Sequence, residues 1–93
     1  MKYFEWNQDK NQLLINERNV SFEDCILAID NGKIFDIVEH KNKEKYPNQK
    51  IFILEINNYA YLVPFVEDKN KIFLKTIIPS RKATKKYIIN KKI

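Results

Sequence analysis

Residues 20–40 read VSFEDCILAIDNGKIFDIVEH, and the hydrophobic period changes inside them. Ser21 followed three residues later by Asp24 has the form of a capping box at a helix start. Val20 and Cys25 stand at the two positions of a hydrophobic staple. Phe22, Cys25, Ile26 and Ile29 then recur at helical spacing. Gly32, the only glycine of the chain, falls where a left-handed C-terminal cap is needed. Beyond it, "KIFDIVEH" has the short apolar character of a strand. A helix therefore hands over to a sheet at Gly32.

The pattern on each side agrees. Upstream, "KYFEW" reads as a first strand. Asn7 fits an N-cap and Asp9 complements the helix dipole. "QDKNQLLINER" supplies a helix with Leu13 and Leu14 inward and Lys10 and Glu17 toward water. Downstream, the polar "KNKEKYPNQ" is a loop. "KIFILEI", "YAYLVPFVE" and "KIFLKTII" are three β-rich runs separated by "NN" and "DKN", connections short enough for antiparallel hairpins. Pro64 cannot donate to a ladder, which predicts an edge or a bulge. In the last run, Ile72, Leu74, Thr76 and Ile78 form the more apolar face and are expected to meet the helices, with Phe73, Lys75 and Ile77 opposite. Pro79 ends that strand, and Ser80 caps a short final helix, "RKATKKYII". The expected architecture is α+β: a mainly antiparallel sheet with N-terminal helices on one face and a short C-terminal helix, in the order β-α-α-β-β-β-β-α.

A chain of 93 residues makes one domain, 1–93, with one core. Residues 88–93 read as a frayed, charged end. The 44% hydrophobic content argues against disorder. No apolar run approaches the roughly 20 residues of a membrane helix. The opening "MKYFEWNQDK" lacks the apolar region of a signal peptide, so a cytoplasmic protein is expected. Cys25 has no second cysteine to pair with and reads as a small buried hydrophobe. One His and one Cys do not build a zinc site, and no metal or other cofactor is expected. Nor can one glycine supply a phosphate-cradling loop.

Charge is uneven. Residues 1–80 carry 11 basic and 12 acidic side chains, whereas residues 81–93 carry six basic and none acidic. The net charge of +5 thus resides in the C-terminal segment. Such a block suits a polyanion or an acidic protein; solubility alone is the plainer explanation.

Four collinear pieces resemble the BrnT family of small ribonuclease toxins from type II toxin–antitoxin systems. "FEWNQDKN" is similar to the family's opening aromatic, Trp, Asn/Asp and Lys run. "VSFEDC" resembles its second-helix start. "EHKNKEKY" is similar to its loop of a His followed by an acid–base–aromatic triplet. "IPSRKATKKY" resembles its signature after the last strand. There are departures. Glu17, Arg18 and Asn19 stand where Lys-His-Gly is common, and Lys82 and Lys45 stand where arginines are. These bear on catalytic strength more than on fold. Asn19 can still take the left-handed conformation. The resemblance implies a RelE-like fold, RNA cleavage, and neutralisation by a cognate BrnA-type antitoxin, with toxin subunits paired inside a larger assembly.

Metal-independent cleavage of RNA needs in-line attack by the 2′-hydroxyl, cationic stabilisation of the phosphate, a base and an acid. Arg81 suits phosphate clamping because its planar donors hold two oxygens at once. Lys82 and Lys10 are candidates for added charge or proton transfer, provided the first and last helices lie side by side. His40 has two readings: an acid or base beside a groove, or a histidine at a strand end. Tyr46 beside Lys45 either stacks on a base or covers the sheet. Trp6 reads more as core or subunit contact than as a base platform. Thr84 bonds either a phosphate or its own helix carbonyls. Lys85 and Lys86 complete the RNA-binding candidates. Two non-catalytic alternatives use the same basic helix: a nucleic-acid-binding module, and an interaction protein that holds an acidic partner.

Overall fold

A computed structural model describes residues 2–90. The elements are β1 (Tyr3–Glu5), α1 (Gln8–Arg18), α2 (Phe22–Asp30), β2 (Ile34–Glu39), β3 (Gln49–Ile56), β4 (Tyr59–Glu67), β5 (Lys71–Leu74), β6 (Ile78–Pro79) and α3 (Arg81–Thr84), which runs on into a π-helical turn, Lys85–Ile89. The class is α+β as expected, with one more strand because the last β-rich run is broken in two.

Local chemistry explains where the elements begin and end. The Asn7 side chain accepts from the Lys10 amide and starts α1. At α2, Ser21 Oγ accepts from the Asp24 amide and Asp24 Oδ2 accepts from the Ser21 amide, a complete capping box. Gly32 has φ 71°. Its amide bonds the Ile29 carbonyl and the Lys33 amide bonds that of Ala28, which is the Schellman closure. Asn19 takes φ 55° at the end of α1. Asn57 and Asn58 are both left-handed, at φ 53° and 64°, as a two-residue β3–β4 hairpin turn requires. In the next turn Asp68 Oδ1 accepts from the Asn70 and Lys71 amides.

The strands lie in the order β1-β5-β4-β3-β2, with β6 also on β4. All pairs are antiparallel except β1 with β5. Two apolar layers sandwich this sheet. On one face, Leu14, Val20, Phe22 and Cys25 from the N-terminal helices and their junction meet Phe52, Leu54, Val63 and Phe65 of β3 and β4. Trp6 packs on this core, stacked on Phe22 at 5.8 Å. Its indole N–H is buried without a partner among the described residues, and nothing in the structure explains it. On the other face, Ala83 and Ile88 of the C-terminal helix cover Ile53 and Ala60. The first and last helices are therefore separated by the sheet.

Three expectations need correction, and the one at Pro64 is resolved. Leu13 is 45% exposed while Leu14 is 1% exposed, so only one of the pair points inward. Of the edge or bulge expected at Pro64, the structure has the irregularity and not the edge: β4 pairs with β3 along its length, and on the other side Val63 and Pro64 lie opposite three residues, Lys75, Thr76 and Ile77. The Pro64 carbonyl accepts from Lys75 N, on the side where the partner strand breaks between β5 and β6, so the missing donor falls in that gap. The break also changes the facing of residues. Leu74 and Ile77 are both fully buried, three positions apart, while Ile78 is exposed. The Ile77 carbonyl there accepts from Arg18 Nη1. Finally, Ile88 is 8% exposed and anchors the C-terminal helix rather than belonging to a frayed end; Lys91 and Lys92 lie outside the described residues.

Candidate nucleic-acid interface

The C-terminal helix is held by its own polar residues. Ser80 Oγ accepts from the Ala83 amide at 3.1 Å. The Ser80 amide donates to the Ala60 carbonyl. Thr84 Oγ1 donates to the Ser80 carbonyl at 2.7 Å and accepts from the Ala60 amide at 2.9 Å. Both polar groups of the Ala60 backbone, in the middle of the sheet, are thus satisfied by the helix. Thr84 is 6% exposed, so of its two readings the structural one holds and it is not available to phosphate. Thr84→Val keeps the shape but strands the buried Ala60 amide. A loss of about 1–3 kcal/mol is expected, read by urea denaturation, with Thr84→Ser losing less.

With Ala83, Thr84 and Ile88 buried, Arg81, Lys82, Lys85 and Lys86 are left in solvent. They divide into two pairs. Lys82 and Lys86 line a groove of about 360 Å³ between this helix and the outer face of β2–β4. Val38, Ile51, Ile53 and Leu62 form its apolar floor, and Lys41 and Glu39 stand where β2 leaves the sheet. Arg81 and Lys85 are exposed but do not line it. Tyr87 closes one wall, stacked on Phe35 at 5.1 Å, with Lys86 Nζ 5.1 Å from its ring centroid. Lys41, Lys82 and Lys86 have no carboxylate within ion-pair distance among the described residues.

The β2–β3 loop adds a second cluster beside Lys41. His40 Nδ1 accepts from the Asn42 amide at 3.1 Å, which assigns the ring hydrogen of the neutral form to Nε2. Its ring lies 4.3 Å from that of Tyr46. Lys45 Nζ is 5.6 Å from the Tyr46 centroid, and Asn42 Oδ1 accepts from the Lys45 amide. Tyr46 is therefore a support for His40 and Lys45 as well as a surface. Lys43 binds Glu39 at 2.8 Å; that hydrogen bond and the lysine charge hold the Glu39 carboxyl below its ordinary range.

The candidates thus come together only in part. Lys82 and Lys86 share the groove. His40, Lys45 and Tyr46 share the loop at its end. Lys10 belongs to α1, on the far face, so the expected pairing of Lys10 with Arg81 is not made. Lys41, Asp36 and Tyr87 line the groove and were missed. Lys41 could have been found as the neighbour of His40, and Asp36 as the lone charge facing the same side as Val38 in an apolar strand. Cys25 is buried, and burial pushes its thiol up to about 12, with Asp24 adding to the effect. It is a core residue and not a thiolate nucleophile. Among the described residues, no three His, Cys, Asp or Glu side chains group to hold a metal ion, and no helix is long and apolar enough to cross a membrane.

No family model matches the chain, and no curated protein matches it.

Proposed function

We propose that this chain is an RNA-directed toxin of the BrnT type, acting in the cytoplasm, that engages single-stranded RNA in the groove beside the C-terminal helix. One observation carries this reading: Lys41, Lys82 and Lys86, drawn from two elements far apart in sequence, converge on one groove without an ion-pair partner among the described residues. Convergent free cations over an apolar floor fit a phosphate backbone with its bases. In this reading the lysines hold the phosphate and neutralise charge developing on it. His40, with Nε2 unengaged by the loop, moves a proton to or from the ribose 2′-hydroxyl or the leaving oxygen. Attack of that hydroxyl on phosphorus breaks the bond to the 5′-oxygen of the next nucleotide. The products are a 2′,3′-cyclic phosphate and a 5′-hydroxyl end. Arg81 and Lys85 attract RNA from the far side of the helix. A BrnA-type antitoxin would present acidic groups to the same cationic groove.

The second reading is a non-catalytic nucleic-acid or antitoxin-binding module. The separation of Lys10 and Arg81 from the groove favours it, because the full cationic set expected for catalysis is not assembled. The two part in one assay. Purified protein is incubated with single-stranded RNA in the presence of a chelator, and the ends are analysed. The toxin reading expects cyclic phosphate, with a loss of at least about tenfold in rate for His40→Ala. Salt-sensitive binding without product establishes the second reading instead.

A further inference from the structure

We propose that the groove reads a guanine base in single-stranded RNA, with Asp36 as the specificity-determining residue. This rests on the reading of the groove as an RNA site and adds what that site recognises.

A carboxylate in a groove built for phosphate is unfavourable unless it meets a donor. Two carboxylates line this one, Asp36 and Glu39. Glu39 is occupied by Lys43 at 2.8 Å. Asp36 has no cation within ion-pair distance among the described residues. Its Oδ1 accepts from the Ile37 amide at 2.8 Å, and its Oδ2 lies 3.4 Å from the Tyr87 hydroxyl. A carboxylate offers about four acceptor positions and no donor, so positions remain for a ligand. A ligand group that meets Asp36 is therefore one that carries N–H or O–H donors, not an anionic phosphate oxygen.

The rest of the groove identifies that group as a base. Its volume of about 360 Å³ lies within the roughly 300–1,000 Å³ typical of small-ligand sites. The apolar floor accepts the flat face of a base. Lys82 and Lys86 stand one turn apart on the wall, positioned for the flanking phosphates. Among RNA bases, guanine alone sets two donors side by side on its pairing edge, N1–H and the N2 amino group, to match two carboxylate oxygens. Adenine and cytosine set one donor beside an acceptor, and uracil sets its N3–H between two. Reading that edge requires an unpaired base, hence a single strand.

The test uses fluorescence anisotropy with 2′-O-methyl hexanucleotides, which cannot undergo 2′-hydroxyl attack. The probes are all uridine, or uridine with one central guanosine, inosine or adenosine. The guanosine probe is expected to bind about tenfold tighter than the all-uridine probe. Inosine, which lacks the N2 amino group, should lose most of that gain. In Asp36→Asn the guanosine-to-uridine affinity ratio should fall close to one, with an unchanged circular dichroism spectrum. Equal wild-type affinity for all probes, combined with weakening of all of them in Lys82→Ala/Lys86→Ala, overturns the base assignment but leaves the groove as an RNA site. A guanosine preference that survives in Asp36→Asn removes Asp36 from the role. Absence of binding by every probe overturns the RNA reading itself.

Discussion

Phe22→Ala is expected to remove about 3–5 kcal/mol of folding stability, measured as a lower urea midpoint at unchanged slope. The ring is fully buried at the first residue of α2. It stacks on Trp6 and belongs to the cluster that joins both N-terminal helices to β3, β4 and β5. Its backbone is held as well: the Phe22 amide donates to Asn11 Oδ1 at 2.7 Å, and Asn11 Nδ2 donates to Glu23 Oε1 at 2.7 Å. With the capping box on its other side, the site cannot collapse easily into the space left by the ring, which places the cost toward the upper part of the range. Domains are stable by only about 5–15 kcal/mol. The variant should therefore show a large unfolded fraction well below the wild-type midpoint. A loss under about 1 kcal/mol would mean that the helices are not locked to the sheet through this residue.

Much of the fold was legible because its determinants are local. Ser21 and Asp24, Gly32, Asn57 with Asn58, and Ser80 each set a boundary through contacts within a few residues. The rest depended on distant partners. Leu13 and Leu14 are adjacent on a helix and chemically identical, so only the position of the sheet decides which one is buried. The break after Leu74 lies opposite Pro64, and a two-residue period read along one strand cannot contain it. The pairing of Tyr3 with Lys71 joins opposite ends of the chain. The same reasoning applies to the site. The basic helix was evident from charge alone, and its cap from Ser80. Which of its cations face a groove depended on Thr84 binding Ala60, and the groove's other side comes from β2 and β3. Arg81 is favoured by its chemistry, whereas Lys82 and Lys86 are the ones that line the groove.

The second large effect belongs to those two lysines. Neither makes an ion pair among the described residues, and both are exposed on the surface of a helix that is anchored by other side chains. Their removal should leave the fold intact, since unpaired surface residues rarely change stability by more than about 0.5 kcal/mol. Each charge-assisted bond to phosphate contributes about 1.5–3 kcal/mol, so Lys82→Ala/Lys86→Ala should weaken RNA binding about a hundredfold or more. The most direct measurement is the dependence of RNA affinity on salt in the wild type and in this double variant. Loss of two phosphate contacts to a single strand should reduce the slope of log affinity against log salt by about 1.4, alongside the drop in affinity. An unchanged slope and affinity in a folded double variant would contradict the assignment of the groove as the RNA site.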